Sequence, residues 1–489
     1  VQPARQIDRA AIQIVKTKPP RRQMPFTGQF LSLPLIRNLV ASVMKNQVSK
    51  KVSRTHYPAP FAIIDLWRDH FGDKKRMMEE EANSVARLIQ GETVLNLIRV
   101  FFLQNQLKNQ VEDKKFNPQH VHVIGAGIMG GDIAAWCALK GMTVTLEDRE
   151  PKYLSNAIGR ANKLFNKKLR TVHERNAVSD RLIPDTHGYG VANADVIIEA
   201  IFEDIEAKQA IYERIEPRMK PDAILATNTS SIPLETLSSG LKDPERLVGI
   251  HFFNPVAIMP LVEIVKTSDT SPKTVAKAAT FVQKIGKLPL PVRSSPGFLV
   301  NRILLPYLVE AMILYNEGIA IEAIDKAALD FGMPMGPIEL ADTVGLDICQ
   351  SVAQNLSRTF NYDLPPILES YIKAGNLGKK TGRGIYRYKK GKPVKDKDAS
   401  LGDQKIIQKR LIYRLLNEAA SCLEEGIVEN VNLLDAGIIF GTGFAPFRGG
   451  PLHYSQSIGL EAVIADLEVF ADKYGSGFKP SSGWKLIGD

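Results

Sequence analysis

Cysteine is scarce in this 489-residue sequence: there are three, Cys137, Cys349 and Cys422, none near another. No CxxC pair and no Cys/His cluster exists, which excludes a disulfide scaffold and argues against a zinc or other metal site. Three scattered thiols in apolar helical patterns fit a reducing, intracellular compartment. Long apolar runs are also missing. No stretch of about 18 uncharged apolar residues occurs, so no membrane span is expected. The N-terminus lacks the apolar core of a signal peptide and begins with Val, which reads as a cut or processed end. What is present is an ordinary globular composition, 44% hydrophobic and 24% charged. The length suits two to four domains.

Acidic residues are nearly absent from one region. Residues 1–60 hold eleven Lys/Arg and one acid, Asp8, whereas 61–489 hold 52 of each sign. The net charge of +10 therefore belongs to the leader, and it gives no evidence that the main body binds nucleic acid.

Four regions follow from the pattern. Residues 1–118 read as helices and linkers, with helical spacing over Leu35–Met44 and Lys74–Gln106. Helix-breaking punctuation falls at Lys18–Arg21 and Tyr57–Pro60. Residues 119–295 alternate β-rich and helical runs. The strands are expected at His120–Ile124, Thr143–Glu147, Val196–Glu199, Ile224–Thr227, Leu247–His251 and Val262–Val265. Helices are expected at Ile128–Lys140, Asn156–Glu174 and Asp204–Arg218. This βαβ grammar implies a mostly parallel, doubly wound α/β sheet of Rossmann type. Residues 296–400 and 401–489 read as helical, with a Gly/Lys-rich linker at Gly378–Asp398. They repeat one another: Asn316–Ile319, Asp325, Phe331–Pro337 and Val344–Asp347 recur as Glu424–Ile427, Asp435, Phe440–Pro451 and Ile458–Glu461. The offset grows from 108 to 114 residues. A duplicated all-α domain is the simplest account.

Gly125-Ala126-Gly127-Ile128-Met129-Gly130 is a GxGxxG between a strand and a helix. Its glycines permit the tight turn, and the helix N-terminus offers free N–H groups to a pyrophosphate. About 20 residues on, Asp148 closes the next strand, where a carboxylate accepts from ribose hydroxyls and repels a 2′-phosphate. NAD is therefore expected over NADP, although Arg149 is adjacent. Polar residues cluster at later strand ends: Asn228 and Ser230, then His251 and Asn254, then Glu263, with Asn301 opening the helical part. Alcohol oxidation needs a base near neutral pKa, which suits His251, and a carboxylate behind it would fix the tautomer, which suits Glu263. Each residue also has a bland account. His251 could be structural, Glu263 a surface position on an edge strand, Ser230 a helix N-cap and Asn301 an ordinary cap.

Asn228–Ser231, His251–Pro255, Val262-Glu263 and Pro296–Arg302, with spacings of 21, 12 and 38 between Ser230, His251, Glu263 and Asn301, resemble the L-3-hydroxyacyl-CoA dehydrogenase family. With the duplicated C-terminal half, the sequence is similar to the dehydrogenase part of the multifunctional fatty-acid β-oxidation α-subunits, and Thr381–Tyr386 resembles the linker of that family. The resemblance implies an NAD-dependent oxidoreductase acting on an acyl-CoA thioester in lipid degradation, with His251 as base and Glu263 its partner. It places Ser230 and Asn301 at the reacting oxygen, and Tyr454 of the second repeat on the substrate. Met129, Asp148, Phe202, Glu203, Asp204, Lys208, Asn228, Ser230 and Asn254 match cofactor contacts. Gln456 departs from the family, which often has Asp there. A thiolase subunit and a homodimer are the associations it leaves open, in a bacterial cytoplasm or an organelle matrix. It also implies that 1–118 is the tail of an enoyl-CoA hydratase domain with its linking helix. The oxyanion loop and catalytic glutamates of a hydratase are not seen, so hydration is not expected of this chain alone. Two alternatives remain, a non-catalytic NAD-binding relative and a dehydrogenase of free 3-hydroxy acids.

Overall fold

Residues 6–17, 33–109, 113, 115–360, 366–396 and 398–488 are described by a computed structural model. The chain divides into two units, Val1–Leu95 and Asn96–Asp489. The division falls inside the helix Glu92–Asn109, where one piece running to residue 118 was expected. In the first unit, helices Pro34–Ser49 and Pro58–His70 bury Ala41, Phe61 and Ile64. Tyr57–Pro60 does not interrupt structure. Pro58 opens a helix, where its missing N–H costs nothing. The long helix expected over Lys74–Gln106 is two, Lys74–Ile89 and Glu92–Asn109, separated at Gln90-Gly91. Lys18–Arg21 lies outside the described residues.

The second unit is built on an eight-stranded sheet in the order β3-β2-β1-β4-β5-β6-β7-β8. The strands are β1 His120–Ile124, β2 Thr143–Glu147, β3 Leu182–Asp185, β4 Val196–Glu199, β5 Ile224–Thr227, β6 Leu247–Phe252, β7 Leu261–Lys266 and β8 Leu288–Arg293. From β3 to β6 every neighbouring pair is parallel. β7 then runs antiparallel to β6, and β8 follows β7. The central strands are buried on both faces, and successive side chains enter alternate cores. Val196 and Ile198 face one core with helices Ile128–Leu139, Pro151–Lys168 and Pro272–Lys284. Ile197 faces the other with helix Ile205–Ile215.

The two strands of the eight-stranded sheet absent from the sequence expectation, β3 and β8, are edge strands and carry proline: Pro184 in one, Pro289 and Pro291 in the other. Proline cannot donate to a ladder, so it is tolerated where one side is unpaired. The helix expected over Asn156–Glu174 ends at Lys168. A second begins at Val172, where Thr171 and Glu174 form a reciprocal capping box. The linker after residue 378 carries a short hairpin, β9 Arg387–Lys389 with β10 Lys392–Val394, where only irregular chain was expected.

The helical part repeats a device as well as a pattern. Asp325 accepts from the Ile338 N–H at 2.8 Å, and Asp435 accepts from the Leu452 N–H at 2.8 Å. Each carboxylate serves the start of the helix that follows, Pro337–Val344 or Pro451–Ile458. A Cβ on Gly336 or Gly450 would collide with the corresponding aspartate. The two copies are further joined by Arg302, which donates to Glu418 at 2.8 Å and forks onto Glu425 at 2.5 Å.

Burial pushes both aspartates up, Asp325 to about 6 and Asp435 to about 6. A carboxyl raised above its ordinary value makes the folded chain bind protons more tightly than the unfolded one. Its contribution to stability is complete below about 4 and is lost as pH rises through 6. Asp325→Asn removes that loss. The variant should therefore gain about 1–3 kcal/mol on the parent between pH 4 and 7 in urea titrations, the direction being the test.

Candidate functional site

The glycine turn leaves β1 with Gly125 at φ +102, a conformation that side-chain-bearing residues avoid. A Cβ there would sit 2.7 Å from the Ala200 carbonyl oxygen, and one on Gly130 would strike the carbonyl of Gly125. Around Gly127, by contrast, a Cβ would meet nothing within 4 Å, so this face of the turn is open to a ligand. Gly127 caps helix Ile128–Leu139, and no side chain takes the cap hydrogen bond. Free N–H groups and the positive end of the helix dipole are thus presented at an open turn, which suits a pyrophosphate. Met129 is half-buried beside them.

Two acids end β2, and their surroundings differ. Glu147 is buried and engaged by His122 at 2.9 Å and Arg214 at 2.6 Å. Burial pushes its carboxyl up, but these two partners outweigh burial and hold it below the ordinary value. Asp148 is half-buried, and one of its oxygens accepts from the Ala126 N–H at 2.8 Å. It therefore stands at the glycine turn, whereas Glu147 is used up inside the fold.

The antiparallel pairing of β6 with β7 sets His251 directly across from Glu263. His251 donates from Nδ1 to Glu263 Oε2 at 2.7 Å. The other oxygen, Oε1, accepts from the backbone N–H of Leu299 at 3.1 Å and of Val300 at 2.9 Å. Those donors open the helix Val300–Asn316, so the carboxylate also benefits from its dipole. Glu263 is wholly buried in the sheet interior, next to β8, and is not an edge-strand surface residue. The imidazole is packed edge-on by Phe253 at 4.6 Å and Phe298 at 5.4 Å. With Nδ1 committed to the carboxylate, Nε2 is the nitrogen left to accept a proton.

The remaining candidates form two groups. Asn228 accepts from the Phe252 N–H at 2.9 Å and so ties the end of β5 to that of β6 beside His251. Asn301 is half-buried, one residue beyond Val300, and its amide makes no hydrogen bond among the described residues. Ser230 does not cap the helix after it; that cap is Pro233. Its hydroxyl and N–H go to Glu203, at 3.2 and 2.7 Å. Phe202 is 70% exposed, and Asp204 caps helix Ile205–Ile215. Asn254 is exposed just past β6. Lys208, in contrast, is 1% exposed, its ammonium 2.7 Å from Glu199 and 3.5 Å from Glu203. Tyr454 lies in the second helical repeat, edge-on to Phe331 at 5.2 Å, and the ring contacts of His251 are to Phe253 and Phe298 instead. Gln456 donates to the Ile487 carbonyl at 2.8 Å.

One organising residue carries no motif. Glu199, at the end of β4, is fully buried and accepts from Lys208, Thr227, Tyr212 and the Ile201 N–H. Its only sequence signal is a carboxylate closing an otherwise apolar strand.

Residues 120–295 match the 3-hydroxyacyl-CoA dehydrogenase NAD binding domain, and 297–388 match the 3-hydroxyacyl-CoA dehydrogenase C-terminal domain. The chain belongs to the 3-hydroxyacyl-CoA dehydrogenase family. The family's cofactor is NAD, and the open glycine turn, the uncapped helix and Asp148 fit it. A fatty acid oxidation complex subunit alpha from Shewanella baltica is 35% identical over 474 residues, covering 92% of this chain and 67% of the relative. A solved 3-hydroxybutyryl-CoA dehydrogenase from Escherichia coli K12 aligns with a TM-score of 0.68 at 27% identity. It covers 76% of this chain and 98% of its own. The dehydrogenase part of a multifunctional enzyme 1 from C. elegans aligns with a TM-score of 0.60 at 27% identity, covering 81% and 99%. No described helix is long and apolar enough to cross a membrane.

Glu263→Leu would leave two buried N–H donors and His251 Nδ1 without a partner. It should destabilise the protein by about 2–4 kcal/mol in denaturant titrations, well beyond an ordinary surface change.

Proposed function

We propose that this chain oxidises L-3-hydroxyacyl-CoA to 3-ketoacyl-CoA in fatty-acid β-oxidation, with His251 as the general base. The observation that carries the assignment is the His251–Glu263 pair at 2.7 Å, at the end of a strand in an NAD-binding sheet. NAD, when bound, accepts the hydride from C3 of the substrate. The C3 hydroxyl proton passes to His251 Nε2, and C3 becomes a ketone. Glu263 holds the tautomer that leaves Nε2 free and stabilises the imidazolium that forms. Asn301, with a spare amide near this pair along the chain, holds the reacting oxygen, aided by Ser230 once its hydroxyl turns from Glu203. Asp148 receives the adenosine ribose. Glu203, Asn228, Asn254, Met129, Phe202 and Asp204 line the cofactor side. Lys208 acts there by fixing Glu199 and Glu203. Tyr454 contributes to the substrate side from the second repeat.

The Shewanella relatives are named as subunits of a fatty acid oxidation complex, which supports the metabolic setting. It also supports assembly with a second enzyme. A thiolase, which would consume the 3-ketoacyl-CoA product, fits that chemistry, and a bacterial cytoplasm fits those relatives.

His251→Ala should lower kcat for 3-hydroxybutyryl-CoA by about 100- to 10,000-fold while leaving KM for NAD nearly unchanged. An unchanged kcat removes His251 from the role of base. Asp148→Ala should raise KM for NAD about tenfold and narrow the preference over NADP, as read from initial rates with each cofactor.

A further inference from the structure

The helix Glu92–Asn109 lies ahead of the nucleotide-binding domain, and from Asn96 onward it belongs to the second unit. Asn96 and Arg99, three residues apart, share one helical face. Asn96 donates to the Phe447 carbonyl at 2.8 Å and accepts from His453 Nε2 at 2.9 Å. Arg99 donates to the Gly449 carbonyl at 3.0 Å and to Asp435 Oδ2 at 2.8 Å. The four contacts fall on the loop Phe447–Gly450, on His453 in the first turn of the helix that follows it, and on Asp435.

That loop is unusually constrained. Gly449 and Gly450 have φ of +77 and +117, and a Cβ on either would meet His453 or Asp435. Asp435 accepts from the N–H of Leu452 and His453, which start the helix bearing Tyr454. Within the loop, the Arg448 guanidinium lies 4.1 Å from the Phe331 ring and 4.8 Å from the Tyr454 ring. Tyr454 in turn lines a cleft of about 280 Å³ with Phe331, Lys405, Lys409 and Tyr413. In the first repeat, Asp325 accepts a further hydrogen bond from Tyr386 at 3.0 Å and lies 3.8 Å from the Lys395 ammonium, both in the linker following that repeat. In the second, the cation comes from 336 residues upstream.

We propose that Asn96 and Arg99 are positioning residues for substrate binding, fixing the loop Phe447–Gly450 with the first turn of the helix after it and, through them, Tyr454 at the wall of this cleft. The proposal rests on the reading of Tyr454 as a substrate-side residue. Burial and the Arg99 charge both keep His453 below its ordinary value. The neutral ring is therefore favoured, and it can donate to Asn96.

The test uses the full chain with 3-hydroxybutyryl-CoA and a longer 3-hydroxyacyl-CoA. Arg99→Met should raise KM for acyl-CoA about five- to tenfold with KM for NAD unchanged, and Arg99→Lys should fall between it and the parent. Asn96→Ala, which keeps the ion pair and is the milder change for folding, should move KM in the same direction by a smaller factor. Tyr454→Ala alone should raise KM for acyl-CoA, and adding Arg99→Met to it should change KM by less than twofold, because both act through one ring. If Tyr454→Ala raises KM while Arg99→Met and Asn96→Ala do not, the positioning role falls and the reading of Tyr454 stands. If both Michaelis constants rise together, or only the melting temperature drops, the two residues are structural and the proposal is overturned. If Tyr454→Ala leaves KM unchanged, that reading falls and takes the proposal with it.

Discussion

Glu263 is a buried charge with two employers. One oxygen fixes His251 across the β6–β7 pair, and the other is held by the first N–H groups of the helix Val300–Asn316. A lone carboxylate this deep would be expelled or protonated. An imidazole on one side and a helix N-terminus on the other make its burial tolerable. The same carboxylate thereby joins the sheet to the helical part at the one place where chemistry is expected. The local backbone shows what this demands: Phe298, a residue with a full side chain, sits at φ +51, directly after Gly297 at φ +75. This uncommon conformation turns the chain so that two N–H groups meet Glu263 while the Phe298 ring packs against His251.

The reversal of strand direction at β7 makes that arrangement available. A parallel neighbour would be reached through a crossover helix, and its residues would meet β6 in a slanted register. An antiparallel neighbour returns directly, so residues 12 apart in sequence face one another. The glycine turn works by the opposite means, since its function depends on side chains that are missing. Three positions, Gly125, Gly127 and Gly130, keep the backbone close-packed on one side and open on the other.

Much of this was legible in the sequence, and the exceptions have physical causes. Short β-rich runs set between helical patterns marked six of the eight main-sheet strands. The other two contain proline, which reads as punctuation unless the strand is known to lie at an edge. The split at Thr171 depended on a capping box whose residues also suit a helix interior. His251 and Glu263, which the structure pairs, were singled out because ligands bind at strand ends in such sheets. Glu199 was not, because a buried carboxylate at a strand end is indistinguishable by spacing from an exposed one. Lys208 shows the reverse: the motif placed it near the cofactor, yet its ammonium is spent inside the protein. No local pattern could reveal Arg99, whose partner is set by tertiary packing alone.

The pairing of Arg99 with Asp435 has a consequence for the order in which the molecule can be assembled. It closes a loop of 336 residues, with the whole nucleotide-binding domain inside it. Loop closure is entropically affordable at that length but slow relative to local contacts. During synthesis the arginine emerges first, and at about 5–20 residues per second it waits roughly 20–70 s for its aspartate. The second repeat therefore cannot be latched until Asp435 has been made, and the helix that supplies the latch is made ahead of the whole nucleotide-binding domain.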